Sequence, residues 1–385
     1  MEIDHQYPTL NDIRRRAKRR LPRFVWEYLD SGTGEETAKA RTGAALDAVT
    51  LTPRALKSAA TPDLSVTLMG RRHPLPFGFA PVGMSGLVWP GTESMLARTA
   101  AREGIPFCLS TVAAASPEDL APDIGDQGWF QLYAPGQPDI RRDMLARARD
   151  AGFHTLILTA DVPVPSRRER LTRAGITNPM RMTPSVIWQA AQCPAWALAT
   201  ARSGIPTLRT LAKYADTSTT HSGTGHVGYQ LRTAPDRAYL ETLRREWAGK
   251  LVVKGVLHPG DAADMAELCD AIWVSNHGGR QFDAGPAPID ALVTIRDAVG
   301  PDMPLICDGA VRGGTDILRL LSRGADFVML GRAPHWGAAA FGQRGVDHVV
   351  HVLRAGMVAD MGQLGLARLP DIIGRPAIQT DTNER

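Results

Sequence analysis

The sequence predicts an α/β fold, a TIM (β/α)8 barrel. Two observations carry this: eight short apolar runs alternate with stretches of helical period, and each run is continuously apolar. Continuous apolar runs suit parallel strands buried on both faces, and eight β/α units in one chain close naturally into a barrel. The predicted strands are residues 75–82, 107–111, 129–134, 155–161, 251–256, 271–276, 304–309 and 327–332. Helical stretches fall at 91–103, 140–151, 259–268, 289–299 and 313–323. The chain reads as a single domain, 1–385, with an N-terminal helical extension (1–74), the barrel (75–360) and an insertion after the fourth strand (162–237). A structureless connection of that length is rare in a compact domain and is usually functional.

Composition bounds the function classes. At 385 residues, 44% hydrophobic and 22% charged, the chain can bury a large core without covalent staples. Cys108, Cys193, Cys269 and Cys307 lie far apart. A disulfide framework or metal site is therefore not expected, and the cytoplasm is the natural compartment. The Met1-Glu2-Ile3-Asp4-His5 start is too polar for a signal peptide, and no apolar run is long enough to span a membrane. The net charge is +4, with Arg14, Arg15, Arg16, Lys18, Arg19 and Arg20 crowded together. A nucleic-acid arm is one reading of that cluster. The reading adopted is a solvated helix face, because Ile13, Ala17 and Leu21 recur at spacing four. No nucleic-acid partner is expected.

Catalytic groups of such barrels sit at the C-terminal strand ends. Those ends hold Ser110, Gln131, Tyr133, Thr159, Asp161, Lys254, Asn276, His277, Asp308 and Arg332. A purely structural barrel would not need so many polar groups there, so an enzyme is expected.

The most specific motif is Val274-Ser275-Asn276-His277-Gly278-Gly279-Arg280-Gln281. It sets an imidazole, able to take a proton near neutral pH, beside a guanidinium, able to grip a carboxylate with two parallel hydrogen bonds. A second motif, Cys307-Asp308-Gly309-Ala310-Val311-Arg312-Gly313-Gly314 with Leu330-Gly331-Arg332, follows strands seven and eight. There barrel loops commonly form a phosphate site with a helix N-terminus. The run Gly223-Thr224-Gly225-His226-Val227-Gly228 matches a dinucleotide-binding pattern, but it follows a polar stretch rather than a strand. It is read as a loop.

These motifs resemble the FMN-dependent 2-hydroxy-acid dehydrogenase/oxidase family, which includes glycolate oxidase and the lactate and mandelate dehydrogenases. The resemblance runs from about residue 21 to about residue 365. It includes Leu21-Pro22 with Tyr28 and Gly32, Ala80-Pro81, Trp129-Phe130-Gln131-Leu132-Tyr133, Arg167-Arg168-Glu169 and Val253-Lys254-Gly255. The segments at 83–90 and 104–111 are most similar to the bacterial mandelate and L-lactate dehydrogenases.

The resemblance implies oxidation of an L-2-hydroxy acid, with FMN as cofactor. His277 would be the base and Asp161 would pair with the resulting imidazolium. Arg280, Arg168 and Tyr28 would bind the substrate carboxylate, and Tyr133 the substrate hydroxyl. Pro81, Val82, Gly83, Ser110, Gln131, Thr159, Lys254 and Ser275 would surround the flavin. Asp308, Gly309, Arg312, Gly331 and Arg332 would hold its ribityl and phosphate. A quinone or other electron acceptor and a homotetramer are also implied. The alternative is a soluble oxidase passing electrons to O2. A non-redox flavin barrel would not need His277 with Arg280 and Arg168.

The chain departs from the family where Val82 replaces a common Thr, Val112 the Trp of glycolate oxidase, and Ala310 a common Gly. Gly83 and Val112 predict room for an aryl or longer alkyl side chain, as in mandelate.

The insertion carries no Asp or Glu from Arg170 to Ala215, while Arg170, Arg173, Arg181, Arg202, Arg209 and Lys213 are basic. Met180, Met182, Val186, Ile187, Trp188, Trp196, Leu198, Ile205 and Leu208 are interleaved with them. That mix suits a segment lying on an anionic membrane surface, which would place the protein peripherally on the inner face of the cell membrane. The resemblance agrees, since mandelate dehydrogenase carries a membrane segment here. A lid packed on the barrel is the competing reading.

Overall fold

Eight parallel strands close into one ring in a computed structural model of the chain, which describes residues 2–57, 61–175, 183–214 and 233–372. A two-stranded antiparallel hairpin, β1 (Val66–Leu68) and β2 (Arg71–His73), precedes the ring. The ring runs β3 (Phe77–Phe79), β4 (Phe107–Ser110), β5 (Gly128–Leu132), β6 (Thr155–Thr159), β7 (Lys250–Val256), β8 (Ala271–Val274), β9 (Leu305–Asp308) and β10 (Phe327–Leu330). Pairing of β10 with β3 closes it.

All eight predicted strands are present, and most are shorter than predicted at their C-terminal ends. Thr111, Asp161, Asn276, Gly309 and Arg332 lie beyond the strands, where the chain turns into the loops that build the mouth. The barrel interior is filled by fully buried side chains such as Trp129, Trp273 and Phe327, while Phe77, Phe79 and Phe130, at the alternate positions, are buried on the outer face under the helices. This is a packed core rather than a channel.

The helices, in chain order, are α1 (Glu2–Gln6), α2 (Leu10–Arg20), α3 (Arg23–Asp30), α4 (Thr37–Ala48), α5 (Ser85–Val88), α6 (Thr92–Glu103), α7 (Pro117–Ile124), α8 (Pro138–Asp150), α9 (Glu169–Arg173), α10 (Pro184–Ala191) and α11 (Pro194–Ser203). They continue as α12 (Arg237–Glu246), α13 (Pro259–Met265), α14 (Pro288–Val299), α15 (Gly314–Ser322), α16 (Arg332–Phe341) and α17 (Gln343–Leu364).

Helix α2 starts at a capping box. The Thr9 hydroxyl accepts from the Asp12 N–H, and the Asp12 carboxylate accepts from the Thr9 N–H. Its Ile13 and Ala17 are fully buried, as their spacing predicts. Its basic residues are less uniformly solvated than expected. Arg16 donates to the Ala340 carbonyl and Arg20 to that of Ala339, while Arg14 lies over Trp26 and Trp336 and pairs with Asp30. These side chains dock α2 onto α16. Helix α4 is clamped by the loop after β8, where the Asp283 carboxylate accepts from the N–H groups of Glu35 and Ala38.

The insertion is not structureless. It holds α9, α10, α11 and a short 3-10 turn, Ala212–Tyr214. Trp196, 5% exposed, donates its indole N–H to the Leu87 carbonyl and meets Phe24 edge-on. Val186 and Leu208 are buried too. The expectation that these residues serve a membrane face is therefore corrected: they fasten the insertion to the barrel. Much of the insertion's basic charge is also spent internally. Arg170 pairs with Glu27, Asp30 and Glu36, Arg209 with Asp119, and Lys213 with Asp143. Ile187, Trp188, Leu198 and Ile205 remain exposed, each at 53% or more. Residues 180–182 and 223–228 lie outside the described residues. Among the described residues, no helix is long and apolar enough to cross a membrane.

Candidate active site

A cavity of about 1510 Å3 opens at the C-terminal ends of the strands. Tyr28, Tyr133, Arg168, His277 and Arg280 line it together with Lys254, Asp308, Gly309, Arg312, Gly331 and Arg332, and so do Pro81, Val82 and Gly83. The sequence motifs, spread over 300 residues, thus converge on one chamber.

His277 leaves β8 in a left-handed conformation, φ 55°, which costs a residue with a Cβ roughly 1–2 kcal/mol. Local bonds hold it there. Its N–H donates to Ser275 Oγ at 3.0 Å, and its Nδ1 lies 3.1 Å from both Asp161 carboxylate oxygens. Nδ1 therefore carries the proton, and Nε2 is the nitrogen left to act as a base. Burial pushes the imidazole below its ordinary value, and the Lys254 and Arg168 charges add to this against the opposing pull of Asp161. Burial alone would raise the Asp161 carboxyl, but the His277 and Lys254 charges outweigh it and hold the group ionised.

Arg280 donates to the carbonyls of Leu29 (3.2 Å) and Tyr28 (2.8 Å). Among the described residues it forms an ion pair with no carboxylate. Burial and the neighbouring Arg168 and Arg332 charges press its guanidinium well below the usual range. Arg332 shares the Leu29 carbonyl, at 3.2 Å, and also donates to Gly278. Among the described residues neither Arg280 nor Arg168 forms an ion pair with a carboxylate, and with Arg332 beside them they make this end of the chamber a carboxylate or phosphate receptor.

Lys254, 4% exposed on β7, sits 2.9 Å from Ser275 Oγ and 3.6 Å from Asp308. Burial works against its charge, but Asp308 and Asp161 more than compensate and keep it protonated. At Gly331 an added Cβ would meet nothing within 4 Å, so backbone there faces open space. Lys254, this bare backbone and the guanidinium cluster fit a planar, phosphate-bearing cofactor with an electron-rich edge.

Some predicted residues stand elsewhere. Ser110, Gln131, Thr159 and Ser275 are buried just behind the wall. The first three form a ladder, with Ser110 Oγ to Gln131 Oε1 and Gln131 Nε2 to Thr159 Oγ1 both at 2.9 Å. Arg312 reaches the chamber, but its guanidinium is already paired with Asp47 and Asp316. Tyr28 donates its hydroxyl to the Gly83 carbonyl at 2.8 Å. Gly83 and Val112, from which room for the substrate side chain is expected, pack against one another at the chamber wall: a Cβ on Gly83 would stand 2.7 Å from Val112 Cγ2.

Two contributors escaped the sequence reading. Gly255, at φ 102°, would drive a Cβ to 2.4 Å from Asp161 Cβ and Cγ, so only glycine lets that carboxylate reach His277. The Val253-Lys254-Gly255 run was visible, but its reason was not. Thr42 of α4 accepts from Asn276 at 2.8 Å and lines the chamber, and nothing local in the sequence marks it.

The sequence profile of the FMN-dependent dehydrogenases matches residues 17–379. An L-lactate dehydrogenase of Caulobacter vibrioides is 37% identical over 366 residues, covering 94% of this chain and 95% of that one. An L-lactate dehydrogenase of Xanthobacter autotrophicus is 36% identical over 365 residues, 94% of each. Among solved structures, the monotopic membrane protein (S)-mandelate dehydrogenase aligns with a TM-score of 0.89 at 32% identity, covering 95% of this chain and 97% of that one. Mandelate oxidase with (S)-2-phenylpropionate aligns with a TM-score of 0.79 at 28% identity and the same coverage.

Proposed function

The chain belongs to the FMN-dependent dehydrogenase family, and from that premise we propose that it oxidises an L-2-hydroxy acid with an apolar side chain to the 2-oxo acid. One observation carries the reading: His277, backed by Asp161, shares a chamber with Arg280, a partly buried guanidinium that no carboxylate among the described residues neutralises. A substrate bearing a carboxylate beside an oxidisable carbinol supplies what both lack.

When bound, FMN supplies the acceptor for the electron pair that leaves the substrate's α-carbon. Arg280 and Arg168 grip the carboxylate, and Tyr28 closes that side. His277 Nε2 takes the substrate proton, and Asp161 stabilises the imidazolium through Nδ1. Tyr133 hydrogen-bonds the oxygen that becomes the carbonyl. Lys254 would supply fixed positive charge to the flavin ring, and Asp308, Gly309, Gly331 and Arg332, which line the same chamber, would hold its ribityl and phosphate. Met84, Val112, Val162 and Ile205 give the wall against the substrate side chain its apolar character.

The second electron transfer is proposed to go to a quinone at the inner face of the cell membrane. Support comes from Ile187, Trp188 and Leu198, which stay exposed while the opposite side of the insertion grips the barrel. An exposed tryptophan beside exposed aliphatic side chains suits shallow burial in the headgroup layer.

The test is anaerobic addition of glycolate, L-lactate, L-2-hydroxyisocaproate and (S)-mandelate, watching the flavin bleach. Reoxidation by O2 and by a quinone analogue is then timed. Mandelate or hydroxyisocaproate should bleach faster than glycolate, and the quinone should outpace O2. No bleaching by any of the acids sinks the reading, and rapid peroxide formation with O2 moves the protein to the oxidases.

A further inference from the structure

Behind the chamber wall runs a buried polar chain that the chemistry above does not use. His335 of α16, fully buried, sets Nδ1 2.7 Å from the Gly331 carbonyl and Nε2 2.7 Å from Ser85 Oγ. Ser85, the first residue of α5 and 2% exposed, also reaches the Val82 carbonyl at 2.9 Å. A carbonyl can only accept, so Nδ1 carries the proton and Nε2 presents its lone pair to Ser85, whose one hydroxyl proton is shared between that nitrogen and the Val82 carbonyl. Burial, reinforced by the Arg280 charge, pushes this imidazole down to about 4, so it holds a single proton at neutral pH.

The chain Val82–Ser85–His335–Gly331 crosses the seam where the barrel closes. Val82 follows β3 and Gly331 follows β10, the first and last barrel strands, and both residues line the chamber. Ser85 is itself held from the other side. The Glu93 carboxylate, 4% exposed, accepts from the N–H groups of Gly86 (3.2 Å) and Ala114 (2.9 Å) and keeps the start of α5 in place. Neither His335 nor Ser85 lines the chamber, so any effect on the cofactor must pass through the two loops.

We propose that His335 is a positioning residue for the flavin: through Ser85 it fixes the spacing of the Val82 and Gly331 loops, and so how tightly ring and phosphate ends are held together. The proposal rests on the FMN-enzyme reading above.

The test uses apoprotein of wild type, Ser85→Ala, His335→Phe and the double variant, titrated with FMN by fluorescence quenching. The visible band of the bound flavin and the melting temperature of each apoprotein are recorded alongside. Each single variant should weaken FMN about tenfold, the scale of one hydrogen bond, and shift the flavin band. The double variant should be no weaker than the worse single, because both changes break the same chain. Ser85→Thr, which keeps the hydroxyl, should restore affinity. Wild-type FMN affinity in Ser85→Ala, losses that multiply in the double variant, or a large melting drop with an unchanged flavin band would each overturn the proposal. A wild-type chain that takes up no FMN at all would instead overturn the family reading on which it rests.

Discussion

At the scale of single residues, the site is governed by what stands next to His277. Its imidazole is pushed below the ordinary value, so the base form is populated early. On a pH profile, kcat/KM should rise with pH and level off before the ordinary histidine value of about 6.5. Asp161 is the group that pulls the imidazole upward. Asp161→Asn should therefore move the acid limb to lower pH while cutting the rate by about 10²–10⁴-fold; an upward shift would contradict the pairing. His277→Ala should lose a comparable factor and still bind FMN. Gly255→Ala should resemble Asp161→Asn in rate, since its Cβ would displace that carboxylate. His277 and Arg280 were legible because they share eight consecutive residues with a recognisable chemistry. Gly255, Ser85 and His335 were not, because their meaning lies in contacts with residues 94 to 250 positions away.

At the scale of elements, loop geometry supplies the tests. Ala310 adopts φ 54° between Gly309 and Val311. That conformation costs a Cβ-bearing residue about 1–2 kcal/mol, whereas glycine costs about 0.5–1 kcal/mol in unfolded-chain entropy. Ala310→Gly should therefore stabilise the protein slightly, by up to about 1 kcal/mol, and a clear loss in a denaturant titration would show that its methyl is needed. Trp196 fastens the insertion with one hydrogen bond and an aromatic edge. Trp196→Ala should loosen the insertion without melting the barrel, which limited proteolysis within 184–214 would detect. It should also raise KM, because Ile205 to Leu208 border the chamber. The strands were legible because parallel barrel strands are continuously apolar. The inward side of the insertion was not: a buried and an interfacial tryptophan read alike until their partners are seen.

At the scale of the whole molecule, protonation links the fold to pH. Burial pushes His73 and His335 down to about 4, so both are neutral in the fold and take protons readily when unfolded. Where the folded value lies below the unfolded one, the unfolded chain binds more protons, and stability rises with pH. The unfolding free energy should hold above about pH 6.5 and fall toward pH 4 by about 1.4 kcal/mol per pH unit for each histidine, and the melting temperature should fall with it. A flat profile through that window would mean that neither is neutral in the fold. The order of synthesis bears on assembly in another way. Arg16 and Arg20 dock on carbonyls of Ala340 and Ala339, and Thr33 donates to Gly279, partners that a ribosome makes roughly 250 to 320 residues later. At about 5–20 residues per second, the N-terminal helices wait on the order of 15–60 seconds for their surface. The segment that brings Tyr28 and the Leu29 carbonyl to Arg280 is thus the first made and among the last to settle, so a nascent chain arrested before α16 should show protease-sensitive N-terminal helices and form no competent chamber.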